Sequence, residues 1–396
     1  MWRTFFIFTQ IIVMEYQSIQ ESFLNIFKTN PEVIIQSPGR INLLGEHTDY
    51  NDGMVLPAAI DKSIVVALGK SDNQSNWVSY NYNETYTTDI QTFEKSNHHW
   101  ASYIKGVLNE LLSLGKKIPN FNMVFGGDIP LGAGLSSSAA LETGIIAGLN
   151  ELFSLELSKL DIIQIAKKAE NNFVGVNCGI MDMFANVKSM KDHVLLLDCK
   201  TLEFSYFKFD NSKYSIILCN SGVSHQLVDS QYNLRRKSCM DGVAILNSQK
   251  PTINSLRDAT LEDLLNYKNL FDPITFNRCL YVIEESIRMN LALDSLQNND
   301  YQSFGKIMYQ THLGLKNDYE VSCEELDFLV EKAMSFPNTM GSRMMGGGFG
   351  GCSINLIEAG YEAAFIQFID AAYFSNYGKK MEIYPVKITN GLERIA

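Results

Sequence analysis

Between residues 128 and 140 the chain reads Asp128-Ile129-Pro130-Leu131-Gly132-Ala133-Gly134-Leu135-Ser136-Ser137-Ser138-Ala139-Ala140, and no other stretch constrains its fold so tightly. Small residues let backbone N–H groups approach a polyanion, and Leu141, Ile145, Ile146 and Leu149 follow at helical spacing. A glycine turn that opens a helix is a phosphate cradle, because unpaired amides and the helix dipole both favour negative charge. No lysine follows the glycines, which excludes the GxxxxGK[ST] loop of the common nucleotide-binding fold. Alone, the stretch fits a flexible Gly/Ser turn before a helix equally well; other segments decide between the two.

A chain of 396 residues is long enough for two domains of ordinary size, each with its own core. With 33 basic against 44 acidic residues the formal charge is −11, and no basic stripe supports a nucleic-acid role. A phosphorylated ligand therefore needs local amides, a cationic side chain and a divalent cation rather than a global field. The 7 cysteines are scattered without a CxxC pair, and the 6 histidines form no ligand cluster with them. Reduced, mostly buried thiols in a cytoplasmic protein fit that pattern better than a zinc site or a disulfide framework.

Trp2 to Met14 is strongly apolar but too short for a membrane span, which needs ~20 apolar residues. Nothing A-x-A-like follows it, so residues 1–14 are expected to be an N-terminal extension, with translation starting at Met14. No membrane partner is expected. Periodicity predicts helices over 15–28, 100–114, 136–153, 158–173, 230–247, 274–290, 301–316, 323–334 and 361–372. Strands are expected at 33–35, 64–68, 121–125, 194–197, 215–219, 353–357 and 383–388, with a turn at Ser37-Pro38-Gly39-Arg40. Strands and helices without strict βαβ alternation argue for α+β. Element order places an N-terminal domain over 15–205 and a helix-rich C-terminal domain over 206–396.

Three further segments carry chemistry. Gly39-Arg40-Ile41-Asn42-Leu43-Leu44-Gly45-Glu46-His47-Thr48-Asp49-Tyr50-Asn51-Asp52-Gly53 packs a guanidinium, carboxylates, an imidazole and an amide between glycines. That density suits a polyhydroxylated ligand, whose hydroxyls both donate and accept; a polar surface loop would also be rich in turn residues. The apolar Ile41, Leu43 and Leu44 argue that the segment is partly buried, so Glu46, His47 and Asp49 need partners. Asp182, after Gly179 and among apolar neighbours, reads on its own as a helix cap or ion-pair partner; beside a cation it would be a base for an alcohol. Gly346-Gly347-Gly348-Phe349-Gly350-Gly351 contains a literal GxGxxG, but it leads into a strand rather than a helix, which rejects the dinucleotide fingerprint.

Taken in order, these segments resemble those of the galactokinases, within the superfamily of galactose, homoserine, mevalonate and phosphomevalonate kinases. Gly39 to Asn51 matches the galactokinase signature, Pro130 to Ala140 the phosphate loop, Cys178 to Asp182 a third motif and Gly346 to Cys352 a fourth. Trp100 to Val107 and Tyr232 to Arg236 are similar to further family segments, so the likeness spans about residues 33–355. It implies a two-domain α+β small-molecule kinase fold with the active site between the domains. The implied reaction moves the ATP γ-phosphoryl group to the anomeric hydroxyl of α-D-galactose, with Mg²⁺, giving galactose 1-phosphate and ADP. By the same likeness Asp182 is the base and Arg40 stabilises developing charge. Glu46, His47, Thr48, Asp49, Gly179 and Tyr232 bind the sugar. Gly132, Ala133, Gly134, Leu135, Ser136, Ser137 and Ser138 wrap the phosphates, Trp100 lies near the adenine, and Ser138 with Glu170 holds the metal. The expected partners are a sugar and ATP, and a monomer is expected.

Three positions depart from the family pattern: Met183 for a glutamine beside Asp182, Asn177 for a proline, and Asn171 for a histidine after Glu170. Met183 is expected beside the sugar. A kinase of a related sugar (N-acetylgalactosamine or arabinose) is the nearest alternative, and a non-catalytic galactose- and ATP-binding sensor the next. The unbroken Ser137-Ser138-Ala139-Ala140, with Arg40 and Asp182 both present, favours the enzyme.

Overall fold

The computed structural model of the protein describes residues 16–90, 99–130, 132–223 and 228–396; the expectations placed on residues 1–14 and on Leu131 lie outside them. In chain order the first half runs α1 (residues 16–27), β1 (Val33–Asn42), β2 (Met54–Val55), β3 (Pro57–Lys70), β4 (Ser75–Ser79), β5 (Glu84–Thr88), α2 (His99–Ser113), β6 (Phe121–Gly127), α3 (Ser137–Phe153), α4 (Lys159–Ala169), α5 (Met181–Lys188), β7 (His193–Asp198) and β8 (Phe204–Lys208). The second half runs β9 (Tyr214–Asn220), α6 (Val228–Gln249), α7 (Leu261–Asn266), α8 (Pro273–Gln297), α9 (Tyr301–Asn317), α10 (Glu324–Ser335), β10 (Thr339–Met344), β11 (Cys352–Glu358), α11 (Glu362–Tyr377), β12 (Glu382–Val386) and β13 (Glu393–Arg394).

The first sheet has the order β13-β1-β3-β6-β4-β5, antiparallel except for the β4–β6 pair. Its strands alternate with period two, so each face buries a different set. Ile34, Val65, Ala67 and Val124 meet Ile19 and Phe23 of α1, while Ile35, Val66, Leu68 and Met123 meet the helices α2 to α5. The second sheet, β10-β11-β9-β12, packs Ile217, Cys219 and Ile357 against α10 and α11. Its other face, with Ile216, Leu218 and Leu356, joins Ile41, Leu43, Leu56, Leu135 and Met289 in one apolar cluster shared by both halves of the chain. Each half also has apolar clusters of its own, Val33 to Leu197 in the first and Cys239 to Met344 and Ile217 to Tyr373 in the second, so the shared cluster joins separate cores rather than replacing them.

The predicted turn at Ser37-Pro38-Gly39-Arg40 is instead part of β1. The strand runs on through it, and its pairing with β3 slips by two residues between Pro38 and Arg40. A bulge accommodates the proline, which has no N–H for the ladder. It also frees the Arg40 N–H to donate to Leu135 O at 3.2 Å, tying the strand to the Gly/Ser loop. The division expected near residue 205 falls inside β8, which is hairpinned to β7.

Candidate active site

Strand β6 delivers the chain to Asp128, whose carboxylate is held by Lys62 Nζ at 2.6 Å and Ser63 N–H at 2.9 Å. The loop then turns through left-handed backbone at Gly132 (φ 71°), Gly134 (φ 73°) and Ser136 (φ 58°) before α3 begins. A serine in that region is strained, and such strain gathers where function fixes the backbone. Ser136 stands at the N-cap of α3 without capping it; its hydroxyl donates to the Asp182 carboxylate. The first-turn amides of α3 are thus left for an anion. Gly132, Ser137 and Ser138 line one wall of a cavity of about 530 Å³ whose other walls include Trp100, Phe125, Ile129 and Leu141. The Trp100 indole N–H donates to Glu84 at 2.7 Å on the rim.

On the other side of the loop lies a second cavity, about 250 Å³, lined by Arg40, Glu46, His47, Asp49, Gly134, Ser136, Glu170, Gly179, Asp182 and Tyr232 among others. At its centre Arg40 and Asp182 form a two-pronged ion pair: Nε to Oδ1 at 2.7 Å and Nη2 to Oδ2 at 3.0 Å. Arg40 Nη1 donates to Gly134 O at 2.5 Å, so one guanidinium reaches both the loop and the aspartate. Burial works to lower the Arg40 pKa, but the charges of Asp182, Glu46 and Asp49 outweigh it and hold it above its ordinary value. Asp182 sits in the first turn of α5, where the helix dipole favours a carboxylate.

Burial, reinforced by the nearby Asp182 charge, pushes Asp49 up to about 6. Gly179 packs directly on it: an added Cβ there would lie 1.8 Å from Asp49 Oδ2, so the position requires glycine. Burial acts oppositely on His47, lowering it to about 3 and keeping it neutral. Its ring is held at both ends, Nε2 to Gly347 O at 3.2 Å and Nδ1 to the Tyr50 hydroxyl at 2.7 Å. A carbonyl only accepts, so Nε2 carries the hydrogen and Tyr50 donates to Nδ1. Tyr50 then accepts from Tyr319 at 2.7 Å, and Cys239 Sγ lies 3.2 Å beyond. Tyr232 closes this side, its ring centre 5.4 Å from that of His47.

Thr48 is outside the cavity lining; its hydroxyl donates to Gly45 O and Met54 O and holds the turn. Ala133 and Leu135 are buried and present backbone only. Ser138 Oγ donates to Glu170 Oε1 at 2.9 Å, bringing together the two residues expected at a metal. Glu170 opens a π-helical turn, Glu170–Val174, after α4, an irregularity that often marks a functional position. Met183, expected beside the sugar, does not line the smaller cavity. It is 0 % exposed and packed in the core under the first sheet, because α5 turns Asp182 outward and its neighbour inward.

The reading of the sequence missed the residues that hold the segment around Gly45 and Glu46 in place. Glu285 on α8 accepts the Gly45 N–H at 2.9 Å, Tyr281 donates to Glu46 O at 2.9 Å, and Arg343 on β10 reaches Glu46 Oε1 at 3.1 Å. Charged residues on helix and strand patterns give no sign in sequence of being buried. The one available signal was Arg343 standing three residues before a run of glycines.

Residues 21–70 match the galactokinase galactose-binding signature, residues 102–189 the GHMP kinase N-terminal domain and residues 292–374 the GHMP kinase C-terminal domain. The galactokinase of Clostridium acetobutylicum is 40% identical over 387 residues, covering 95% of this chain and 98% of that one. The galactokinase of Thermosipho africanus is 39% identical over 361 residues, covering 91% and 99%. Among solved structures, Lactococcus lactis galactokinase complexed with galactose superposes with a TM-score of 0.91 at 31% identity, covering 95% and 99%. A mevalonate kinase at 18% identity and a TM-score of 0.62 shares the fold.

Proposed function

The chain belongs to the galactokinase family, whose work is the ATP-dependent phosphorylation of galactose, and we propose that Asp182 takes the proton from the sugar's anomeric hydroxyl as that oxygen attacks the γ-phosphorus. The observation that carries this reading is the position of the Arg40–Asp182 pair. It lies where the 250 Å³ cavity meets the loop that walls the 530 Å³ cavity, with Arg40 bonded to both. A sugar in the smaller cavity and a nucleotide in the larger would present hydroxyl and phosphate to each other across Ser136. Phosphoryl transfer asks chiefly for such alignment and for charge neutralisation. An anomeric hydroxyl is more acidic than an ordinary alcohol, so one nearby carboxylate suffices as base.

Arg40 orients Asp182 through its two-pronged contact and stabilises charge on the transferring group. Glu46, His47, Asp49, Gly179 and Tyr232 bind sugar hydroxyls, the carboxylates accepting from them. The loop amides and the first turn of α3 hold the phosphates, and the aromatic wall with Trp100 takes the adenine. Mg²⁺ fits the donor set: Ser138 and Glu170 offer two hard oxygens side by side, and this ion commonly takes one or two protein ligands plus phosphates and water. When bound there it supplies charge neutralisation on the phosphates. We place the protein in the cytoplasm, as a monomer; its 7 cysteines are all free, and ATP is at hand there.

ADP release with Mg·ATP and a panel of galactose, N-acetylgalactosamine, glucose, arabinose and mevalonate tests the reading. Release is expected with galactose well above the others, and an Asp182→Asn enzyme is expected to lose at least about 10²-fold in kcat while still binding ATP. Near-normal turnover in that variant would remove Asp182 from the role of base.

A further inference from the structure

Arg343 lies near the end of β10, is 0 % exposed and does not line either cavity. Every arm of its guanidinium is engaged. Nε donates to Leu43 O at 2.9 Å, Nη1 to Met344 O at 2.5 Å, and Nη2 to Asn42 O and to Glu46 Oε1 at 3.1 Å. The same Glu46 oxygen accepts the Gly346 N–H at 2.8 Å. Glu46 does line the smaller cavity. One oxygen of a cavity-lining carboxylate is therefore fixed by two donors, both from a strand and loop about 300 residues further along the chain.

A carboxylate buried without a counter-charge would take up a proton and turn from acceptor to donor. Arg343 Nη2, 3.1 Å away, supplies Glu46 with that counter-charge. Its own burial is compensated by main-chain carbonyls arranged around a planar fork, a geometry that a lysine ammonium does not reproduce. We propose that Arg343 is the positioning residue that holds Glu46, paired to its guanidinium, as a fixed acceptor for a sugar hydroxyl. By this contact β10 of the C-terminal half sets sugar recognition in a segment of the N-terminal half. The inference rests on the reading of Glu46 as a sugar contact. Because Arg343 touches neither the Gly132–Ser138 loop nor the aromatic cavity, its effect falls on the sugar rather than on ATP.

The test is a double-mutant cycle on the full-length enzyme with Arg343→Lys, Glu46→Gln and the pair, reading kcat and both KM values. Arg343→Lys is expected to raise the galactose KM about tenfold or more, leaving the ATP KM within about twofold. In the Glu46→Gln background the same change is expected to move the galactose KM by less than about twofold, because the partner it positions is gone. An equal effect in both backgrounds, or an equal rise in the ATP KM, would reduce Arg343 to a structural staple and overturn the proposal. A lysine variant with wild-type galactose KM would overturn it too. Should Arg343→Lys fail to fold, Arg343→Gln, whose neutral amide still donates in the same plane, is judged by the same coupling. If Glu46→Gln alone leaves the galactose KM unchanged, the reading of Glu46 itself falls, and the proposal with it.

Discussion

Burial moves two neighbouring ionisable side chains in opposite directions, and both line the smaller cavity. His47 is held neutral with a pKa of about 3, so it does not titrate near neutrality. Asp49, raised to about 6, does. Above pH 6 it is a carboxylate, a strong acceptor for a hydroxyl; below pH 6 the protonated fraction grows and the acceptor weakens. The galactose KM is therefore expected to rise as pH falls from 7 to 5, toward about tenfold per pH unit once below the pKa. Asp49→Asn should have a higher KM throughout and lose most of that slope. A wild-type profile flat over this range, measured at saturating ATP, would contradict the assignment. The hydroxyl chain through Tyr50 and Tyr319 acts on His47 rather than on Asp49, so it fixes a tautomer without adding a second titration.

Helix α3 carries two opposed features. Its N-terminus is kept free of a side-chain cap, which suits phosphate binding, while one turn in from Ser138 it buries Glu142 completely. Both Glu142 oxygens lack a hydrogen-bond partner among the described residues. Burial, with the Glu170 charge added, raises its pKa well above the ordinary carboxylate range. In the folded protein the group thus stays protonated at a pH where the unfolded chain has ionised, so the unfolded state binds fewer protons and stability falls as pH rises above about 4.5. Replacing it by an apolar side chain of similar length removes that penalty. Glu142→Met is expected to raise the melting midpoint by at least about 2 °C at pH 8, with a smaller gain at pH 5. A gain independent of pH, read by thermal melts at both values, would refute the protonation argument. Packing against α5 continues at the next residue, where Thr143 and Ser37 both bond Asn186 at 2.6 Å and 2.7 Å. That polar knot is satisfied, unlike Glu142.

The whole molecule is held together by chain segments that cross between its halves. Segment 42–47 is clasped by α8, β10 and the glycine-rich loop. The chain's last residues make the return crossing. β12 closes one edge of the second sheet, Ile388 bridges Ile60, Thr389 N–H donates to Ala59 O at 3.0 Å, and β13 pairs with β1 at the edge of the first sheet. With these ties and one apolar cluster in common, the two halves are expected to unfold in a single calorimetric transition. Removing residues 388–396 is expected to lower the midpoint by about 5 °C or more, since it strips backbone partners from β1 and β3 together. Two separate transitions in the intact protein would show that the halves are independent.

What the sequence determined alone was local chemistry. Gly132 to Ser138 could be read as a cradle because glycines, serines and a helix start act within one turn of chain. Arg40, Glu46, His47 and Asp49 could be read as a recognition segment because their density has no use in a plain strand. The α+β class followed from periodicity, and the family from the order of the motifs. Tertiary structure decided the rest. It extended a Pro-Gly turn into a bulged strand because a long neighbour, β3, was there to pair with it. It turned Met183 into the core and Asp182 toward Arg40, since periodicity tells which residues share a face but not what that face meets. Above all it buried Arg343 and Glu285 as partners of residues about 300 and 240 positions away. A charge destined for the interior has the same letter as one on the surface, and only the folded topology supplies the opposite group that makes its burial tolerable.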